Sequence, residues 1–207
     1  MVEIIDNCVQ LAVLLFCTVY AGVLAARRGK QSYWILACYY GASSTGLLYW
    51  LVYDLITSYT PKIFYVSDLC WVASYLFLLM LATEAVDPRE KSFHHPAAWI
   101  SPVLSTALTV FYCQWGDYLS NVIWCGLMGA TGWFSIRGCI WAARQKETAR
   151  KNFHLVVLLL IAAEYALWTA SCFWVSDTLT NPYFWFDFML TAANALLLPA
   201  TERAMGK

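Results

Sequence analysis

Charged residues are scarce in this sequence of 207 residues, since Lys, Arg, Asp and Glu together make up only 13% of it. The 13 basic and 13 acidic residues cancel to a formal net charge of zero. This lack of basic excess argues against a nucleic-acid partner. The 61% of hydrophobic residues argues against a disordered tail and against a soluble domain, which could not bury so much apolar surface. The composition therefore predicts a polytopic membrane protein.

Motifs of nucleotide, metal and redox chemistry are also missing. The ten glycines form no phosphate-binding loop, and the eight cysteines include no CxxC pair. We interpret the cysteines as small packing residues. The three histidines, His94, His95 and His154, lie at one predicted rim of the bundle, so no span interior offers a histidine to zinc. We expect neither a metal nor another cofactor.

Apolar runs of membrane-crossing length are what the sequence does contain. A helix needs about 20 residues to cross a hydrocarbon core of about 30 Å, and seven stretches qualify, joined by short polar segments. The predicted spans cover residues 4–26, 33–57, 63–85, 97–113, 118–143, 153–175 and 183–200. We therefore predict an all-α, integral membrane seven-helix bundle that forms a single transmembrane domain.

Basic residues are distributed unevenly between the two predicted ends of the bundle. Twelve of the thirteen Lys and Arg fall on one side, and only Lys62 lies opposite. Because Lys and Arg in short loops are retained on the cytoplasmic side, we predict that the N-terminus is outside and the C-terminus inside. The expected location is the lipid bilayer of a bacterial inner membrane.

The second half of the chain repeats features of the first half. Asp68 and Glu84 are sixteen residues apart in the third span, and Asp187 and Glu202 are fifteen residues apart in the seventh. These matches predict a 3+1+3 parallel internal repeat, with one unit over about residues 1–86, a linker helix over about 96–114 and a second unit over about 117–203. Chance similarity between Leu-rich and Ala-rich helices is the alternative interpretation.

Three carboxyl groups are predicted at membrane depth, where a charge costs about 2.5 to 3.5 kcal/mol on insertion scales and indicates a functional site by default. Asp68 and Asp187 each lie about five residues in from the outer ends of their predicted spans, and Glu164 lies near the middle of the sixth. The structural alternative is that protonated carboxyls hold helices together through hydrogen bonds to Ser, Thr or Tyr.

Polar and aromatic residues follow each acid at helical spacing and therefore share its face. The predicted ligand-binding residues are Asp68, Trp71 and Tyr75 on the third helix, Glu164, Trp168 and Ser171 on the sixth, Asp187, Thr191 and Asn194 on the seventh, and Tyr39, Ser43 and Trp50 on the second. If these stripes converge, they form an outer cavity with aromatic walls above Glu164. Such a cavity suits a cationic or polar aromatic small molecule, or a proton.

The seven-span plan with an acid on both the third and the seventh helix resembles the microbial rhodopsins. In that family the two acids form a counter-ion pair, and the third helix reads Tyr and Asp before a Leu-rich stretch, as Tyr65 and Asp68 do here. A rhodopsin carries its retinal-binding lysine four residues after the seventh-helix acid, where this chain has Thr191. All six lysines lie outside the predicted spans, so a retinal Schiff base is excluded.

Two further resemblances widen the range of functions. The 3+1+3 plan is similar to that of SWEET-type sugar and PnuC-type vitamin transporters, although the Pro-Gln pair of such carriers is missing. Residues 172–177 resemble the YhhN lysoplasmalogenases, a likeness that requires Asp54 and Asp177 to meet in one site.

Our leading hypothesis is a retinal-free sensor or receptor that binds a small molecule between helices 2, 3, 6 and 7. It would signal through a cytoplasmic protein or a second copy of the chain. The alternatives are a small-solute or proton-coupled transporter and an intramembrane lipid hydrolase of the lysoplasmalogenase type. The enzyme is the less favoured of the two, because the rest of that family's pattern is not evident in the sequence.

Overall fold

A computed structural model describes residues 2–57 and 66–206, and within them the chain is helical with no strand. This confirms the all-α prediction. The described helices are α1 (Val2–Arg28), α2 (Gln31–Thr57), α3 (Val66–Glu84), α4 (Ile100–Tyr112), α5 (Tyr118–Arg144), α6 (Thr148–Phe173) and α7 (Pro182–Met205). Two short 3-10 helices, Glu90–Ser92 and Pro96–Trp99, precede α4. Lys62, Tyr65 and the predicted start of the third span lie outside the described residues.

Local sequence signals account for several helix ends. Gly29 has a φ of 65° and ends α1 in the left-handed conformation that glycine adopts without strain. The Asp117 side chain accepts a hydrogen bond from the Ser120 N–H and caps α5. The Asn181 side chain accepts from the Tyr183 N–H, and a proline occupies the first turn of α7.

Five of the described helices, α1, α2, α3, α6 and α7, are long and apolar enough to cross a membrane. The 13 residues of α4 extend about 20 Å, short of the hydrocarbon thickness. The 27 residues of α5 are long enough, but Asn121, Arg137 and four glycines make that helix less apolar. The structure thus supports a multi-pass membrane protein, whereas a full crossing by α4 and α5 stays a prediction.

Large apolar side chains cover much of the outer surface of the bundle. Phe16 on α1 is 65% exposed and Val110 on α4 is 69% exposed, and many other large apolar residues are similarly open. Polar residues such as Asp6, Asn194 and Asp187 are buried instead. An apolar exterior around a partly polar interior is expected when the surrounding medium is lipid.

The helices pack as a closed ring of six, with α4 outside it. Neighbours around the ring are α1 and α2, α2 and α3, α3 and α5, α5 and α6, α6 and α7, and finally α7 and α1. Smaller contacts cross the ring between α2 and α7 and between α3 and α6. The helix α4 packs mainly against α5. The ring encloses the space in which the candidate site lies.

The helices α1 and α7 run in the same direction, so the described ends of the chain lie at opposite ends of the bundle. The backbone N–H of Glu3 donates to Asp177 Oδ1, just before α7, at 2.9 Å. At the other end Arg28 pairs with Glu202 at 2.6 Å. We call these the N-terminal end and the C-terminal end. The predicted orientation would make the first extracellular and the second cytoplasmic.

One histidine lies in a different setting from the one predicted. We expected His154 at the rim of the bundle, but it lies inside α6 and is fully buried. Its ring packs against Gly138 of α5, where even a methyl group would collide with the imidazole. This close approach explains why α5 carries a glycine at that level. Neither ring nitrogen has a hydrogen-bond partner among the described residues.

Candidate ligand-binding cavity

A cavity of about 480 Å³ lies at the N-terminal end and is lined by residues from all six helices of the ring. This volume falls in the range of about 300 to 1,000 Å³ that is typical of small-molecule sites. Four tryptophans form much of its wall: Trp50, Trp71, Trp124 and Trp168. Polar groups at the surface of the cavity are Glu3, Asn7, Gln10, Glu164, Ser171, Asn181 and Asp187, together with Asp177 and Ser176 at its mouth.

The aromatic wall is held by ring contacts between neighbouring helices. Trp50 of α2 and Trp71 of α3 have ring centroids 5.7 Å apart, and Trp124 of α5 meets Trp168 of α6 edge to face at 4.9 Å. Gly46 makes the first contact possible, because a Cβ there would lie 2.9 Å from Trp71 Nε1. The walls are thus built from large, rigid side chains.

Half of the twelve predicted binding residues line this cavity. They are Trp50, Trp71, Glu164, Trp168, Ser171 and Asp187. A seventh, Tyr75, lies behind the cavity surface and donates a hydrogen bond from its hydroxyl to Glu164 Oε1 at 2.8 Å. The second, third, sixth and seventh helices therefore do contribute to one site.

Two more predicted residues form a hydrogen-bonded layer away from the cavity surface. The Tyr39 hydroxyl donates to Asn194 Oδ1 at 2.7 Å, and the Tyr40 hydroxyl donates to the Asn194 backbone oxygen at 2.6 Å. All three residues are buried. Together with the Tyr75–Glu164 bond, this layer connects α2 to α7 and α3 to α6 across the ring.

The remaining three predicted residues do not line the cavity. Asp68 lies in the first turn of the described part of α3 and is half-buried. Ser43 and Thr191 are buried within the helix packing. The Thr191 hydroxyl has no hydrogen-bond partner among the described residues.

Helix α1 supplies polar residues that the sequence analysis did not select. Gln10 Nε2 donates to Asp187 Oδ1 at 2.7 Å. The Asp6 carboxyl is 1% exposed and lies within hydrogen-bonding distance of the Asp187 carboxyl. Glu3, Asp6 and Gln10 follow i, i+3, i+7 spacing, and this stripe was the available signal.

The mouth of the cavity is acidic as well. Asp54 and Asp177 both lie close enough to the Glu3 carboxyl to repel its charge. These are the two aspartates that the lysoplasmalogenase resemblance requires in one site. No Lys, Arg or His is among the described residues that line the cavity. The N-terminal end therefore concentrates carboxyl groups around a cavity with no basic side chain among its described lining residues.

A second cavity, of about 370 Å³, lies at the C-terminal end. Its lining includes Lys30, Glu84, Asp87, Arg150 and Met205. By position along the helices, a layer of fully buried leucines lies between the two cavities, made of Leu36, Leu78, Leu160 and Leu197. The two cavities are therefore separate spaces.

Ion pairs hold the C-terminal end together. Arg150 pairs with Asp87 at 3.3 Å, and Arg137 pairs with Glu90 at 3.1 Å. A hydrogen bond from the Arg89 backbone N–H, aided by Arg150, lowers the pKa of Asp87. Burial raises the pKa of Glu90, although Arg137 opposes this effect. Like Arg28–Glu202, both pairs join the first three helices or the segment after them to the last three.

Searches of protein-family models, curated proteins and solved structures find no match to this chain. The resemblances to rhodopsins, transporters and lysoplasmalogenases therefore rest on the residues quoted for them. Function has to be argued from the cavity itself.

Proposed function

We propose that this chain is a receptor-like membrane protein that binds a small molecule from the extracellular side. The cavity at the N-terminal end carries the proposal, because it has the volume of a ligand site and draws its wall from six helices. In the predicted orientation its mouth faces the extracellular medium. Tight packing of leucines and tyrosines closes it towards the opposite end.

A ligand in this cavity would touch helices that continue to the C-terminal end. Asp187 lies in the cavity wall, and Glu202, fifteen residues later on α7, pairs with Arg28. The crossing bonds of Tyr75 and Tyr39 couple α3 to α6 and α2 to α7. A ligand that favours one packing of the ring would change the face that a cytoplasmic partner or a second copy recognises.

Thermal stabilisation of the purified protein in lipid nanodiscs tests ligand binding. A panel of small amines, sugars, amino acids and vitamins is screened, since a ligand at about 100 times its Kd adds about 2.7 kcal/mol to the free energy of unfolding. Ser171→Trp, which fills the exposed edge of the cavity, should abolish stabilisation by any hit. Thr106→Trp on the outer face of α4 is the matched control. A hit unaffected by Ser171→Trp would contradict binding in this cavity.

A transporter is the second candidate, and the packing pattern favours it. Exchanging α1, α2 and α3 with α5, α6 and α7 reproduces every contact of the ring, including the two crossings. Tyr75 and Asn194, each seven residues after the matched aspartates, make the crossing hydrogen bonds. This supports the predicted parallel repeat with α4 as linker. In repeat-built carriers the substrate site lies between the two units.

Solute flux distinguishes the two candidates. Proteoliposomes are loaded with buffer and challenged with each compound that stabilises the protein. Uptake that is lost in Ser171→Trp and kept in Thr106→Trp would replace the receptor by a carrier. Binding without uptake supports the receptor, and the second cavity would then be an internal space unrelated to transport.

A further inference from the structure

We propose that the ligand of this cavity is a small organic cation, an ammonium group on an apolar or aromatic body, and that Asp187 binds its charge. In this arrangement Asp6 holds the proton of the buried carboxyl pair and positions Asp187. The proposal rests on the proposed function, because it names the class of ligand for the same cavity.

Among the described lining residues, no basic side chain balances the acids of the cavity. Asp187, Glu164 and Glu3 line the cavity, and no basic residue is among its described lining residues. Glu90, the buried acid outside this site among the described residues, is paired with Arg137. An anion would find no basic side chain among these lining residues, whereas a cation would supply a charge opposite to that of the acids.

Hydrogen bonding assigns different roles to the two aspartates. Asp187 Oδ1 already accepts from Gln10 Nε2, so Asp187 acts as an acceptor. Two carboxyl groups can bond to each other only if one carries a proton. The charge is better placed on Asp187, which accepts from Gln10, than on Asp6, whose Oδ1 has no hydrogen-bond partner among the described residues. Asp6 is therefore the donor. Asp6 is fully buried behind Asp187 and does not line the cavity. Asp187 keeps its charge at the cavity surface, with two donors behind it.

The side chains of the other titratable groups near the carboxyl pair add no positive charge. The α-amino group of the chain acts on Glu3 and Asp177, at the mouth of the cavity. Glu3 belongs to α1, Tyr183 to α7 and Glu164 to α6, and each of them acts electrostatically on Asp187 or is acted on by it. Asp54 at the end of α2 and Asp177 in the segment before α7 act on Glu3. All of these side chains are neutral or negative. The side chains that the neighbouring helices place near Asp187 therefore favour a cationic ligand.

The aromatic walls select an organic cation over a metal ion. The Trp50–Trp71 and Trp124–Trp168 pairs present ring faces and edges to a space of about 480 Å³. Tryptophan is the best partner for a cation above an aromatic ring. No group of three or more His, Cys, Asp or Glu that could hold a metal occurs among the described residues. A bare ion would also leave most of the cavity unfilled.

A matched pair of probes tests the charge preference without any mutation. Binding of 2-phenylethylamine and of 2-phenylethanol to the full chain in nanodiscs is measured by isothermal titration calorimetry at pH 7. The two compounds differ only in the charged group. We expect the amine to bind at least about tenfold more tightly than the alcohol, as for one charge-assisted hydrogen bond. Equal binding, or no binding of the amine, would overturn the proposal.

Variants then test the roles of the two aspartates. Asp187→Asn removes the charge and should weaken amine binding by about tenfold to a hundredfold, with little effect on the alcohol. Asp6→Asn keeps a donor towards Asp187 and should keep amine affinity within about threefold. Asp117→Asn, on the same end but outside the cavity, is the matched control and retains its helix cap. The reverse order of the two effects would overturn the assignment.

Failure of this inference differs from failure of the proposed function. A neutral or anionic compound that stabilises the protein and is blocked by Ser171→Trp would keep the ligand site and reject the cation. Amine uptake into proteoliposomes that depends on Asp187 would keep the cation and replace the receptor by a carrier.

Discussion

At the N-terminal end of the bundle, carboxyl groups line a cavity that has no basic residue in its described wall. At the C-terminal end, by contrast, each of Glu202, Glu90 and Asp87 pairs with an arginine from another part of the chain. The same kind of side chain is therefore used in two ways. Where an acid pairs with an arginine, it fastens the two halves of the ring to each other. Where it has only uncharged donors, as Asp187 has, it costs stability and leaves room for a ligand.

Breaking the buried pair at the C-terminal end should have the largest effect. Arg137→Met leaves Glu90 charged and fully buried, so we expect a loss of about 3 to 5 kcal/mol in the free energy of unfolding. Replacing both residues by methionine should recover most of the lost stability. Arg203→Met, on an exposed arginine of α7, is the control. Unfolding temperatures in detergent measure the effect. If Arg137→Met is as stable as the wild type, the acids at the C-terminal end do not stabilise the fold through their arginine partners, and the contrast between the two ends is lost.

Alanine substitutions at two glycines test the packing at the two ends of the bundle separately. Gly138→Ala forces the His154 ring to move, and Gly46→Ala presses on Trp71, so each should cost about 1 to 3 kcal/mol. Only Gly46→Ala should also weaken ligand binding, since Trp71 lines the cavity. Gly126→Ala, with open space around it, should gain about 0.5 to 1 kcal/mol. Weaker binding in Gly138→Ala would show that the two ends are not independent.

Removing the charge of Asp187 should raise the free energy of unfolding, whereas removing a paired charge should lower it. Asp187→Asn keeps the shape of the side chain and its contact with Gln10 while taking away a buried charge. We expect a gain of about 0.5 to 2 kcal/mol in the free energy of unfolding, as for residues kept for function at a cost in stability. The thermal unfolding midpoint at pH 7 measures it. A large loss would instead indicate that Asp187 is structural.

Acidification should have the smallest effect at the half-buried Asp87–Arg150 pair of the C-terminal end. The folded pKa of Asp87 lies below its ordinary value of 3.8, so its contribution is present above that pH and is lost as the pH falls through the lowered pKa. Asp87→Asn should therefore be slightly less stable than the wild type at pH 7, and the difference should vanish well below pH 3.8. A difference that persists in acid would show that the charge of Asp87 contributes nothing.

Most of the helix plan could be predicted from the sequence because lipid imposes a simple rule on apolar length. Five of the predicted spans coincide with long apolar helices. The weak point was α5, whose length was apparent while its polar face was not. The choice of Glu164 and Asp187 as cavity residues also came from local spacing. Asp68, chosen by the same spacing, is not among the residues that line the cavity.

The sequence by itself determined the helical class, the positions of the helices and which acids fall inside them, since these follow from apolar run length and helical period. Tertiary structure alone decided that α1 brings Asp6 and Gln10 to Asp187, 177 residues away in the case of Gln10. It also decided that α3 packs on α5 with α4 outside the ring. Contacts between distant helices depend on how whole faces fit together, and no local pattern records that fit.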